Sequence, residues 1–87
     1  MATVKFTSAL HRFFPELTEK NINASNIREL VAAADNDFPG IKRYILDDQG
    51  HIRKHVNIFV DGTVTEDVEI AVSENTEVYI IQALSGG

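Results

Sequence analysis

Apolar and polar positions alternate singly at the start of the chain, with Val4 and Phe6 set between Thr3, Lys5 and Thr7. A period of two is that of a strand with one buried and one polar face, so a first strand is predicted here. The segment His11-Arg12-Phe13-Phe14-Pro15 reads as a loop, because Pro15 has no N–H to give to a ladder. A second strand is predicted from Thr18 to Ala24, on a weak pattern in which Ile22 is the clear apolar position.

The period then changes. Ile27, Leu30, Val31, Ala34 and Phe38 recur at i, i+3, i+4, i+7 and i+11, which is one apolar stripe along a helix. Asn26 is placed to cap the first orphan amides, and Glu29, at the third helical position, to reach back and complete a capping box. Pro39-Gly40 stops the helix, since a proline disfavours helical geometry at the residue before it. Ile41, Tyr44, Ile45 and Leu46 predict a short helical turn lying back on the core, followed by a turn at Asp48-Gln49-Gly50. His55 to Val60 is predicted as a strand with Val56, Ile58 and Val60 on one face and His55, Asn57 and Phe59 on the other. Asp61-Gly62 closes it with a turn signal. A weak strand is expected around Val68–Ile70, and a final strand from Val78 to Leu84, with Val78 and Ile80 opposed by Tyr79 and Ile81. One striped helix and one half-apolar sheet can cover each other, which predicts a single two-layer α+β domain.

Charge and cysteine content narrow the chemistry. The chain has no cysteine, which removes disulfides, thiolate metal sites and a thiol nucleophile together. No apolar run approaches the length of a membrane span, and the N-terminus lacks signal-peptide architecture, so a cytoplasmic protein with no membrane partner is expected. The net charge of −5 argues against nucleic acid as a partner. Between Asp61 and Glu77 lie six acidic residues and no basic one, while Lys42, Arg43, Arg53 and Lys54 cluster just before. That acidic run is either a solvated edge or a surface that steers a basic partner.

Side chains with catalytic or ligating potential form no recognisable constellation. His51 and His55 have the spacing of a helical metal pair, but Gly50 and the strand after His55 rule out a helix there, so no metal site is assigned. Asp35-Asn36-Asp37 begins like a calcium loop, yet Pro39 and Leu46 then fall at ligand positions. Ser8, His11 and the carboxylates show no nucleophile arrangement.

Two features remain. Gly86-Gly87 follows the last predicted strand after Ser85 alone; glycines there add no stability, and what they supply is a thin strap bearing an unhindered carboxylate. Phe59, Tyr79 and Ile81 fall by alternation on the sheet face away from the helix. Either loop residues such as Phe13 or Phe14 cover them, or they form a docking surface.

Taken in order, these features resemble the small sulfur carriers of the MoaD/ThiS type. The resemblance is carried by the alternating first strand, Asn26-Ile27-Arg28-Glu29-Leu30, Phe38-Pro39-Gly40-Ile41, and His55-Val56-Asn57-Ile58-Phe59-Val60-Asp61-Gly62. It continues through Glu74-Asn75-Thr76-Glu77-Val78 to Ala83-Leu84-Ser85-Gly86-Gly87. It implies a ubiquitin-like β-grasp fold, a mixed sheet of four to five strands on one main helix, spanning residues 1–87 with a flexible tail at 85–87. It also implies that an ATP-dependent activating enzyme adenylates Gly87, with Gly86 giving passage, and that the adenylate becomes a thiocarboxylate. The implied partners are that adenylating enzyme and a sulfur-accepting synthase subunit, docked through Phe59, Tyr79, Ile81 and Leu84. The chain itself would bind no cofactor and catalyse nothing.

Some positions depart from the family pattern. Asn75 and Thr76 replace the usual Gly-Asp of the last turn, and Asn75 can still adopt the left-handed conformation a glycine would supply. Gln82 stands where many relatives have proline, and Thr7 where many have an aromatic. The segment Tyr44 to Lys54 is more like molybdopterin-type or cysteine-biosynthesis carriers than the shorter thiamine type. A ubiquitin-like modifier joined to lysines, and a plain β-grasp binding module, are the rival readings.

Overall fold

The computed structural model describes residues 2–6, 14 and 19–82. Among them are five strands in one mixed sheet: β1 (Ala2–Phe6), β2 (Lys20–Ile22), β3 (Val56–Val60), β4 (Thr63–Thr65) and β5 (Glu77–Gln82). Their spatial order is β2-β1-β5-β3-β4. β1 runs parallel to β5, and the other neighbours are antiparallel. Two helices, α1 (Ile27–Asp37) and α2 (Ile41–Ile45), complete the elements among the described residues.

Alternation delivers the core. Ala2, Val4 and Phe6 of β1, Val56 and Ile58 of β3, and Val78 and Ile80 of β5 are all buried, together with Ile27, Leu30, Val31 and Ala34 of α1. Phe38, the last residue of the predicted stripe, is the C-cap; its N–H still reaches the Ala34 carbonyl at 2.9 Å, but its backbone has left helical geometry, as Pro39 requires. Gly40 then turns the chain with a φ of 99°. The Asp35 carboxylate accepts from the N–H groups of Gly40 and Lys42, 3.0 Å each, so α2 is tied to the end of α1. Ile41, Ile45 and Leu46 pack into the core as the pattern predicts.

The N-terminal cap forms with one change. Asn26 Oδ1 accepts from Glu29 N–H at 2.8 Å, but Glu29 Oε1 accepts from the N–H of Ser25 at 3.0 Å, one residue earlier than a capping box places it.

The fourth strand is not at Val68–Ile70. Asp61 (φ 49°) and Gly62 (φ 87°) both have positive φ, the signature of a two-residue type I′ hairpin, and Val60 pairs directly with Thr63. The β-branched run Thr63-Val64-Thr65 therefore folds straight back on β3. Residues 68–72 serve instead to hold the start of α1. Arg28 N–H donates to the Val68 carbonyl and Val72 N–H to the Ser25 carbonyl, at 2.9 Å each. Arg28 also grips both Glu69 oxygens at 2.7 and 2.9 Å.

Other boundaries move slightly. The turn after α2 is organised by Asp47, whose carboxylate accepts from Gln49 and His51 N–H, both 2.9 Å. β3 begins at Val56, with His55 outside it, and β2 is confined to Lys20–Ile22. Asn75 does not take the left-handed conformation, since Asp61 is the one described non-glycine residue with positive φ. Thr76 makes that turn instead: it is buried, and its hydroxyl accepts from Ser73 N–H at 2.9 Å. A hydroxyl bonded back three residues closes the loop without a left-handed residue.

Candidate functional site

Both helices pack against one face of the sheet, and the opposite face carries the residues singled out by alternation. Pairing registers place Lys5 beside Tyr79, Tyr79 beside Phe59, and Phe59 beside Val64. Partners in register point to the same side, so this is a continuous row across four strands. Ile81, paired with Asn57, stands next to it on the same face. Lys5, Phe59, Gly62, Glu77, Tyr79 and Ile81 line a shallow groove of about 310 Å³. Tyr79 is 43% exposed and Val64 52%, the two large apolar side chains most open to solvent among the described residues. Phe59 and Ile81 are half-buried by these neighbours.

Phe14 does not cover this face. Its ring stands edge-on to Phe38 and to Tyr44, with centroids at 6.4 and 5.6 Å, on the side of the helices. Lys20 caps the same aromatic cluster, its Nζ 5.3 Å from the Phe38 centroid. Phe13 lies outside the described residues, as do Leu84, Gly86 and Gly87. Of the expected site, the structure therefore brings together Phe59, Tyr79 and Ile81 and adds Val64. Val64 was readable in principle, because a two-residue turn at Asp61-Gly62 sets it opposite Phe59.

The groove is apolar with one charge at either edge, Lys5 and Glu77, and Lys5 Nζ lies 3.9 Å from the Glu19 carboxylate. It offers recognition, not reaction chemistry. Elsewhere, the Asp47 carboxyl is held below the usual carboxylate range, chiefly by the N–H bond from His51, which with the Gln49 N–H and the charges of His51 and Arg53 outweighs the opposing effect of desolvation. Glu69 raises the Arg28 pKa through their hydrogen bonds and charge. No group of three or more His, Asp or Glu side chains among the described residues is placed to hold a metal ion. His51 rests against Asp47 at 3.9 Å, and Asp35 is engaged with backbone amides. No helix among the described residues is long and apolar enough to cross a membrane.

Known proteins give the fold independent support. A model described as the ThiS family matches residues 4–87. No curated sequence relative matches the chain. The structure is similar to that of the Amycolatopsis orientalis BexX/CysO complex, with a TM-score of 0.86, 17% identity and 100% of both chains covered. It is similar also to Mycobacterium tuberculosis CysO (TM-score 0.84, 17% identity, covering 97% of this chain and 100% of that one). The solution structure of small archaeal modifier protein 1 from Methanosarcina acetivorans matches with a TM-score of 0.79 at 19% identity, covering 99% of this chain and 95% of that one. At these identities the likeness establishes the fold, which is the β-grasp that the sequence resemblance implied.

Proposed function

The chain belongs to the ThiS family of ubiquitin-like sulfur carriers and modifiers, and from that premise we propose that it carries sulfur on the carboxylate of Gly87. The reading rests on one observation: the family match runs through Ala83-Leu84-Ser85-Gly86-Gly87 to residue 87. In the proposed sequence the Gly87 carboxylate attacks the α-phosphorus of ATP and releases pyrophosphate. A sulfide or persulfide sulfur then attacks the acyl carbon and expels AMP, and with a persulfide a thiol reductant cleaves the remaining S–S bond. The product is a thiocarboxylate. A carboxylate is a poor electrophile, and adenylation supplies its leaving group; the thiocarboxylate that follows is a soft sulfur donor. Gly86 and Gly87 have no Cβ atoms, which permits close passage to the nucleotide.

The carrier contributes recognition and the activating enzyme contributes catalysis, ATP included; ThiS-like small carriers are in general non-catalytic. The exposed row of Tyr79, Phe59 and Val64, with Ile81 beside it and Leu84 further along the chain, is the surface we assign to docking on that enzyme and on a sulfur-accepting synthase subunit. An apolar patch of this kind, rimmed by polar residues, supports such a reading. The segment Tyr44 to Lys54 holds the end of α2 and the Asp47 turn, and on its likeness we place a molybdopterin-type acceptor first, a cysteine-biosynthesis type next, and thiamine-type last. The cytoplasm is the setting we assign.

The test is intact-protein mass spectrometry after incubation with a cognate adenylating enzyme, Mg-ATP and sulfide. The expected result is exchange of one carboxyl oxygen for sulfur, localised to the C-terminal peptide. Deleting Gly87 or appending one residue should abolish it, and Ile81→Asp should reduce it while leaving the far-UV circular dichroism unchanged. Equal activation of the extended protein would overturn the carrier reading in favour of a binding module. Accumulation of lysine conjugates in place of the thiocarboxylate would favour the modifier.

A further inference from the structure

The two charged side chains of the sheet-face groove are not equivalent. Lys5 and Glu77 both line it, yet no ion pair joins them. Lys5 reaches toward the β2 side of the sheet, where its Nζ lies 3.9 Å from the Glu19 carboxylate. Glu77 is exposed, and its carboxylate is in no hydrogen bond or ion pair among the described residues. Its backbone alone is engaged there: the N–H donates to Asp61 Oδ1 at 2.9 Å, and the carbonyl accepts from Asp61 N–H at 2.8 Å. Thr3, the register partner of Glu77 on β1, gives its hydroxyl to Asn21 Oδ1 at 3.1 Å and so does not serve that carboxylate. The hairpin end of the groove therefore carries an uncompensated negative charge, with the Asp61 carboxylate beside it. Tyr79 stands two residues along β5 on the same face, and Phe59 is its neighbour on β3. Gly62 lines the same end, and even an added Cβ there would meet no atom within 4 Å, so a long side chain has room to enter.

We infer that this groove receives an arginine side chain of the docking partner, its stem across Phe59 and Tyr79 and its guanidinium on the Glu77 carboxylate. The inference rests on the docking role proposed for this face and names the chemistry that the role asks of the partner. A wholly apolar occupant would bury the Glu77 carboxylate without a counter-charge, which is costly. An acidic occupant would meet Glu77 and Asp61 as like charges. Among cations, a guanidinium suits the walls: it is planar, stacks on aromatic faces, is weakly hydrated and can give a carboxylate two parallel N–H bonds. A lysine ammonium is a more strongly hydrated point charge. The acidic run of the sequence bears on the same choice. Asp61 and Glu77, its first and last members, are brought together here by the bond from the Glu77 N–H, so its two ends meet at the groove. Glu69, in its middle, is already neutralised by Arg28. That placement favours a surface that steers a basic partner over a merely solvated edge.

The experiment is an NMR titration of the full-length, nitrogen-15-labelled protein with three capped peptides: Leu-Arg-Leu, Leu-citrulline-Leu, which keeps the shape without the charge, and Leu-Glu-Leu. The arginine peptide should give saturable shifts at Phe59, Gly62, Glu77 and Tyr79 and bind about three- to tenfold more tightly than the citrulline peptide. Glu77→Gln, at an exposed position, should bring that ratio to about one with an otherwise unchanged spectrum. Lys5→Gln should leave the ratio at or above its parental value, because Lys5 opposes an incoming cation. The inference is overturned by the absence of saturable shifts at these residues, by equal affinity for the arginine and citrulline peptides, or by preference for the glutamate peptide. A ratio that survives in Glu77→Gln overturns it as well. No activating enzyme is present, so the two readings fail separately. Loss of arginine selectivity removes this inference while thiocarboxylate formation still supports the carrier, and absence of the thiocarboxylate removes the carrier while the selectivity still supports this site.

Discussion

Leu30→Ala tests the packing on which everything else stands. Leu30 is fully buried (0% exposed) on the face of α1 that meets the sheet, in one cluster with Val4, Ile58, Val78 and Ile80. The substitution removes three carbons, at about 0.8 kcal/mol each, for a transfer loss of about 2.4 kcal/mol. A cavity adds about 24 cal/mol per Å³ wherever the surroundings fail to close, which brings the expected cost to about 3–4 kcal/mol. Alanine's helix propensity recovers only a few tenths of that. A domain of 87 residues has on the order of 4–13 kcal/mol to lose, so the variant should still fold at low temperature but with a large fall in stability. Urea denaturation followed by circular dichroism measures the change, with Ala32→Ser on the exposed side of the same helix as the control, expected within about 0.5 kcal/mol. A Leu30→Ala midpoint within error of the parent, or equal losses in both variants, would refute the assignment of this face to the core.

Three further outcomes follow from local structure. Asn26→Ala removes the acceptor of the Glu29 N–H and should cost about 1 kcal/mol in the same urea assay, with no cost meaning that water caps the helix equally well. Gly62→Ala should cost about 1–2 kcal/mol through backbone strain alone, because an added Cβ meets no atom within 4 Å but φ is +87°; an unchanged midpoint would mean the turn can change type freely. The depressed Asp47 pKa gives stability that is present above the ordinary carboxylate pKa and lost as pH falls through the folded-state value, since the unfolded chain then binds the proton first. Asp47→Asn should therefore make the acid limb of the stability profile less steep as pH falls through and below the ordinary carboxylate range, and an unchanged slope would show that other carboxylates carry it.

Elements specified by local periodicity were legible without coordinates. The 3.6-residue stripe, the Asn26 cap and the Pro39-Gly40 stop define α1 because each acts within a turn or two of the chain. β1, β3 and β5 were legible for the same reason, their alternation of faces being a property of neighbouring residues. That alternation also placed Phe59, Tyr79 and Ile81 on one face, and the family resemblance needed little more than these elements in order.

Tertiary structure decided what depends on partners distant in sequence. Val68–Ile70 has some strand character, but its hydrogen bonds go to the start of α1, some forty residues earlier, and that pairing leaves no trace in local pattern. Thr63-Val64-Thr65 became the edge strand because two positive-φ residues at Asp61 and Gly62 reverse the chain at once, and Val64 joined the exposed row only through its register with Phe59. The two alternatives for the open face, cover by a loop phenylalanine or a docking surface, could not be separated for Phe14 by pattern, because nothing in the chain around it indicates Phe38 and Tyr44 as its partners. The sequence by itself determined the periods of α1, β1, β3 and β5, and so which of their faces turn to the core. The fold alone determined which surfaces stay open, since exposure depends on where every other segment has gone.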